Sequence, residues 1–206
     1  MQPIRILIAD DHAIIRMGLA SLLGTQKDIE VVGEAEDGEV AVTKASELVP
    51  DIVIMDLMMP QKDGVAATKK IHESFPGIKI LILTSYGTSD GIAHALAAGA
   101  SGALMKSTEF AEFVTAIRKI AAGERVIAPE ILRQLAEDPP VPMLTQRQSE
   151  ILLSITRGLT NSDIAKQFGI REDSVKEHTS TIFAKLGASN RSEAVAIALR
   201  KHLLKM

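Results

Sequence analysis

Five short apolar runs, each followed by a segment whose apolar residues recur at helical spacing, fill the first 122 residues of the chain. The runs at residues 4–9, 29–35, 51–55, 78–83 and 101–105 predict strands, and the segments 13–23, 40–49, 65–75, 92–98 and 109–122 predict helices. Asp37-Gly38, Asp63-Gly64, Pro76-Gly77 and Gly99-Ala100-Ser101-Gly102 fall between them as turn chemistry demands. Strands apolar on both faces and joined by crossover helices call for a parallel sheet with helices on each side. The expected fold is therefore α/β, with five parallel strands, doubly wound.

The pattern changes after residue 122. Residues 129–135 predict one short helix, and Glu137-Asp138-Pro139-Pro140-Val141-Pro142 cannot continue it, so residues 123–142 are expected to be a linker with a short helix. Beyond it the segments 145–157, 160–168, 172–186 and 192–203 are all helical. Thr145 and Thr160 are expected N-caps, and Gly158, Gly169 and Gly187 sit where helix ends favour glycine. An all-α four-helix domain over residues 143–206 follows.

A chain of 206 residues that is 46% hydrophobic can bury two small cores. There is no cysteine, which excludes disulfide and thiol chemistry, and no apolar run approaches the ~20 residues of a membrane span. Met1-Gln2-Pro3-Ile4-Arg5 runs directly into the first strand, unlike a signal peptide, so a cytoplasmic location with no membrane partner is expected. The net charge of −3 hides a split. Residues 1–125 hold 12 Lys+Arg against 17 Asp+Glu, a balance of −5, whereas residues 143–206 hold 10 against 6, a balance of +4. The basic half suits a polyanionic partner.

The run Ile52-Val53-Ile54-Met55-Asp56-Leu57-Met58-Met59-Pro60 delivers Asp56 to the C-terminal edge of a buried strand, where ligands of open α/β sheets bind. Asp10 and Asp11 close the first strand, so a 2-1-3-4-5 strand order would bring all three carboxylates together. Such a cluster repels itself unless a hard cation sits in it, and oxygen ligands at this density suit Mg2+. Thr84 ends the fourth strand and Lys106 the fifth. A carboxylate nucleophile, a metal, a hydroxyl donor and an ammonium on one edge are the parts an aspartyl phosphate requires.

Ala9-Asp10-Asp11-His12, Met55-Asp56-Leu57-Met58-Met59-Pro60, Asp63-Gly64, Leu83-Thr84-Ser85 and Met105-Lys106 resemble the motifs of the flavodoxin-like receiver domain of bacterial two-component response regulators. The resemblance covers residues 1–122. It implies Asp56 as phospho-acceptor for a sensor histidine kinase, and Mg2+ held by Asp11, Asp56 and the Met58 backbone carbonyl with Asp10 close behind. It also implies Lys106 as phosphate partner and Thr84 as switch hydroxyl. One departure stands out: many receivers carry Tyr or Phe three residues before the lysine, where this chain has Ala103. Tyr86, the one tyrosine, is the candidate substitute.

In the basic half, Ile164-Ala165-Lys166-Gln167-Phe168-Gly169-Ile170 followed by Glu172-Asp173-Ser174-Val175-Lys176 sets two helices about a short Gly-containing turn, as in a helix-turn-helix. Leu144-Thr145-Gln146-Arg147-Gln148, Gly158 to Ala165, Val175-Lys176-Glu177-His178 and Ile182 to Gly187 are similar to the LuxR-type DNA-binding domain. Together the two resemblances imply a transcriptional regulator of the NarL/FixJ class that acts on double-stranded promoter DNA. Lys176, Glu177, His178 and Ser180 are then expected to face DNA, with Lys185 and Arg191 at phosphates and Asn161 and Ser162 donating to phosphates at a helix start. Glu177 and Ser180 depart from the usual residues. A homodimer on activation and contact with RNA polymerase complete the implied partners.

Three further expectations come from the residues themselves. Ala194, Ile197, Ala198 and Leu204 are expected to leave an apolar dimer surface on the last helix. His12, His72, His94 and His202 have no partner at ligand spacing and are expected to be solvated. An enzyme using Asp56 as a hydrolytic nucleophile would need a second Asp two residues on, where Met58 stands, so no enzyme is expected. The alternative function is a protein-interaction receiver module with little DNA binding, consistent with the Glu177 and Ser180 departures.

Overall fold

The computed structural model describes residues 2–59, 64–85, 89–201 and 203. Pro60, Asp63, Tyr86, His202 and Leu204 thus lie outside the described residues. The chain divides into two units, Met1–Pro139 and Pro140–Met206, each with its own core.

In the first unit, β1 (Ile4–Ala9), β2 (Ile29–Ala35), β3 (Ile52–Met55), β4 (Lys79–Thr84), β5 (Gly102–Met105) and β6 (Val126–Ile127) form one parallel sheet in the order β2-β1-β3-β4-β5-β6. The first five strands take the expected order. Central β3 is buried throughout, as are residues 6–9 of β1, which is why these segments read as unbroken apolar runs. Helices α1 (Ala13–Leu23), α2 (Gly38–Leu48), α3 (Gly64–Ser74), α4 (Ser89–Ala97) and α5 (Phe110–Ala121) make the crossovers. α2, α3 and α4 pack in succession. The order reverses at β1, so the ends of β1 and β3 flank a switch point, where open sheets place their sites.

The stretch 123–142 differs from the expected linker. β6 pairs with β5, Gly102 opposite Val126 and Ala103 opposite Ile127, and adds a sixth strand to the expected five. α6 (Pro129–Glu137) buries Ile131 completely in the sheet domain's core and rests Leu135 against it. Its end is held where Ser89 Oγ donates to Asp138 Oδ2 at 2.5 Å. Residues 126–138 are therefore integral to the first unit, and the Pro139-Pro140 junction divides the chain.

The second unit is four helices: α7 (Gln146–Thr156), α8 (Asn161–Phe168), α9 (Glu172–Leu186) and α10 (Arg191–Arg200). Thr145 and Thr160 cap α7 and α8, each in a reciprocal capping box with Gln148 and Asp163. The bond from Thr160 to Asp163 holds that carboxyl below the usual range. Gly169 ends α8 at φ 63°, a left-handed turn that only glycine adopts without penalty, and α9 starts three residues later. Ile151, Leu152, Ile155, Ile164, Val175, Ile182, Ala194 and Ala198 fill the core. This corrects the expected dimer surface: Ala194 and Ala198 are wholly buried within their own unit, Ile197 is half-buried, and exposed Leu199 follows them on α10.

Candidate functional site

The acidic site assembles at the C-terminal ends of β1, β3, β4 and β5. Asp56 follows β3 directly, and its amide donates to Ala9 O at 2.8 Å, so the ladder with β1 fixes its backbone. Gly64, the first residue of α3, lies against the same backbone: a Cβ there would fall 2.0 Å from Asp56 O. Asp10 is anchored by its amide on Ala35 O at 3.1 Å and by Arg16 Nη1 on its carbonyl at 2.6 Å. Lys106 is placed by its amide on Thr84 O at 2.8 Å. Each expected acidic-site residue thus sits at or just beyond a strand end.

The side chains converge. Lys106 Nζ lies 2.9 Å from Asp56 Oδ2 and 2.5 Å from Asp10 Oδ2. Asp10, Asp56 and Thr84 are exposed by only 2, 4 and 1%, whereas Asp11 is open to solvent. Burial raises the Asp56 carboxyl above the ordinary range, with the Asp10 charge adding to it, and the Lys106 ammonium opposes this only in part. For Lys106 burial disfavours the charge, but bonds to Asp10 and Asp56 outweigh it and hold the ammonium above its usual value. The Met58 amide reaches back to Asp56 Oδ1 at 3.4 Å, while its side chain is 66% exposed. Ala103 is fully buried and carries no ring to move.

Two histidines depart from expectation: His94 is half-buried where a solvated ring was expected, and His12 meets the acidic site. His12 is exposed, but its ring Nδ1 lies 2.8 Å from Asp11 Oδ1 and 3.2 Å from Asp10 Oδ1. Asp10, Asp11, His12 and Asp56 offer donor atoms within 4.8 Å of one another. Three hard carboxylates at this spacing fit Mg2+. His72 is exposed as expected. Arg16, which also pairs with Glu34 at 3.3 Å, was not singled out from the sequence, though it lies four residues after His12, one helical turn on.

In the second unit α9 presents Lys176, Glu177 and Ser180 to solvent, with His178 partly exposed, while Val175, Ile182 and Leu186 face inward. Lys176 Nζ is 3.2 Å from Asp173 Oδ1 and 3.8 Å from Glu172 Oε1, and the Asp173 bond holds its ammonium above the usual value. Ser162 is exposed and Asn161 half-buried at the start of α8. Lys185 and Arg191, expected at phosphates, are engaged internally. Lys185 Nζ donates to Met143 O and Gln148 Oε1, both at 2.8 Å, and Arg191 donates to Ile155 O at 3.3 Å and to Leu159 O. Arg147 stacks 4.7 Å from the Phe168 ring centroid and ties α7 to α8.

Comparison with known proteins bears on both units. Residues 6–118 match the family described as "Response regulator receiver domain", and residues 142–198 match "Bacterial regulatory proteins, luxR family". The chain is 41% identical over 206 residues to the response regulator protein VraR of Staphylococcus aureus, covering 98% of this chain and 99% of that one. It resembles the crystal structure of the response regulator ChrA of a heme-sensing two-component system, with 35% identity, a TM-score of 0.60, and 99% and 100% of the two chains covered. RcsB of Salmonella enterica serovar Typhimurium, solved bound to promoter P1flhDC in the presence of phosphomimetic BeF3−, matches at 25% identity and a TM-score of 0.66, covering 95% and 98%.

Proposed function

Because this chain belongs to the two-component response regulators of the NarL/FixJ class, with a receiver joined to a LuxR-type DNA-binding domain, we propose that Asp56 is its phospho-acceptor. The observation that carries this is the Lys106 ammonium, 2.9 Å from a carboxylate that is 4% exposed and set at the end of the central strand. An Asp56 oxygen attacks the phosphorus of a phosphohistidine on a sensor kinase, or of a small phosphodonor. The O–P bond forms as the phosphohistidine P–N bond breaks and the departing imidazole takes up a proton, whereas an acyl phosphate donor breaks its P–O bond and releases a carboxylate. Lys106 and the Thr84 hydroxyl donate to phosphoryl oxygens and hold the product. Asp10, Asp11, Asp56 and the Met58 backbone carbonyl would hold Mg2+, which supplies positive charge against the incoming phosphoryl group. Water attack on the acyl phosphate would return Asp56 to its carboxylate and release inorganic phosphate.

The output is promoter binding by α9, with Lys176, Glu177, His178 and Ser180 toward the major groove and Asn161 and Ser162 at phosphates. Lys185 and Arg191 act there mainly by shaping the bundle, with their charge close to the same surface. Activation pairs two copies on paired half-sites in the cytoplasm, where the bound dimer meets RNA polymerase. The RcsB promoter complex supports double-stranded DNA as the partner. A second reading, an interaction module with little DNA affinity, is favoured by one observation: the Lys176 ammonium is already held by Asp173.

The experiment is radiolabelled phosphoryl transfer with and without Mg2+, followed by duplex DNA binding across a salt series. Asp56→Asn should abolish incorporation. Stoichiometric labelling of Asp56→Asn, lost instead in Asp10 or Asp11 variants, overturns the acceptor. Absence of salt-dependent binding to duplex DNA favours the second reading.

A further inference from the structure

His12 occupies the N-cap of α1 yet makes no side-chain capping bond there. Its backbone is fixed, with its carbonyl accepting from the Ile15 and Arg16 amides and its own amide donating to Asp10 Oδ1 at 2.8 Å. The ring is thereby turned toward the acidic pocket. Nδ1 lies 2.8 Å from Asp11 Oδ1 and 3.2 Å from Asp10 Oδ1, between two carboxylate oxygens. The same separations suit a metal. Ligand atoms about 2.0–2.1 Å from a first-row ion lie roughly 2.9 Å apart at right angles and 3.4 Å apart at the tetrahedral angle. The ring side chain is 64% exposed, so an ion and its waters can reach it from solvent. Among the described residues this is the one cluster of its kind, and it contains one imidazole.

Mg2+ is hard, keeps several waters and gains little from nitrogen, whereas Co2+, Ni2+ and Zn2+ gain substantially from imidazole. We propose that the pocket is a metal site with two ligand sets: Mg2+ is held by oxygen atoms alone, and a nitrogen-seeking divalent ion such as Zn2+ recruits His12 Nδ1 as a further ligand beside Asp10, Asp11 and Asp56. The inference rests on the reading of the pocket as the Mg2+ site of a receiver and adds to it a residue and a metal class. It also gives His12 a role distinct from Lys106, since imidazole faces the metal side of Asp10 and the ammonium faces the other oxygen.

The test titrates tag-free full-length protein with Mg2+ and with Zn2+ by calorimetry, in wild type, His12→Ala and Asp11→Asn, and follows the histidine ring nitrogens by 15N NMR. His12→Ala should weaken Zn2+ by roughly tenfold or more, the scale on which metal sites respond to losing a supporting group, and leave Mg2+ within about twofold. One ring resonance, absent from His12→Ala, should move with Zn2+ and stay with Mg2+. The proposal is overturned if His12→Ala binds Zn2+ as wild type does, if both ions weaken equally, or if Zn2+ binding survives Asp11→Asn unchanged. Retention of Mg2+ affinity in Asp11→Asn sinks instead the metal reading of the pocket itself.

Discussion

Asp56 carries its charge in a pocket that disfavours it, and this has a measurable sign. Its carboxyl is raised above the unfolded value, chiefly by burial, so folding disfavours the ionised form. The penalty is absent below about pH 4, where the unfolded carboxyl is protonated, and grows as pH rises through the raised value. Asp56→Asn should therefore be more stable than wild type at pH 7 in the presence of chelator, with the gain shrinking toward pH 4. Thermal melts at both pH values check it, and an Asn variant less stable at pH 7 would show that the Lys106 pair outweighs burial. Lys106 has the opposite profile, since its raised value means that its contribution persists until strongly alkaline pH. Gly64→Ala should weaken both folding and phosphorylation, because the added methyl meets backbone at 2.0 Å and neither atom can swing away. Most of this site was legible, since Asp10, Asp56, Thr84 and Lys106 each end an apolar run. His12 was not, because its ring reaches the carboxylates through the turn entering α1 and not through any ligand spacing. Lys185 and Arg191 carried no sign that backbone carbonyls of their own domain would take their charges.

The first five strands and their helices followed from periodicity, and the strand order from the resemblance to a flavodoxin-like receiver, but β6 and the role of α6 did not. A two-residue strand has no periodicity to read, and its pairing depends on the edge of β5 being free. The spacing of Ile131 and Leu135 was the signal available, one helical face with an apolar pair and nothing of its own to cover it. Ile131→Ala in the fragment 1–139 should consequently lose about 2–5 kcal/mol in urea unfolding, as fully buried isoleucines do. A change near zero would return residues 126–138 to the status of a linker. Thr160→Ala tests the helix-turn-helix at the same scale, with about 1 kcal/mol expected from one lost cap. For dimerisation the small residues misled, because Ala194 and Ala198 permit close packing inside the bundle and leave no surface. Leu199 is 58% exposed on α10, and Leu199→Glu should reduce occupancy of paired half-sites at least severalfold while leaving a single half-site bound as before. Footprints of both probes decide it, and unchanged paired occupancy removes α10 from the interface.

At the scale of the molecule, residues 1–125 carry −5 and residues 143–206 carry +4, joined across Pro139, Pro140 and Pro142. DNA is a polyanion, so an acidic domain tethered to a basic one lowers the local potential that draws phosphates in, and this requires no contact between them. Exposed charges are screened within ~8 Å at physiological salt, which keeps the effect modest and makes it fade as salt rises. Phosphorylation adds further negative charge to the acidic half, so long-range electrostatics alone would weaken DNA binding when the signal arrives. An activating phosphoryl group must then work through a shift in conformation or pairing that outweighs its own charge. With Ala103 in place of a ring, that shift has one fewer side chain to drive it, and a smaller change in population than in receivers with an aromatic is expected. The fragment 143–206 has its own core and capped helices, so it can be compared with the whole chain directly. It should bind duplex DNA at least as tightly per protomer as the unphosphorylated full-length protein in the same buffer, with the advantage declining between 50 and 200 mM salt, a range over which phosphate contacts weaken by orders of magnitude. If the fragment binds clearly more weakly when both are monomers, the receiver assists DNA binding before any signal, and control by the acidic half through charge is excluded.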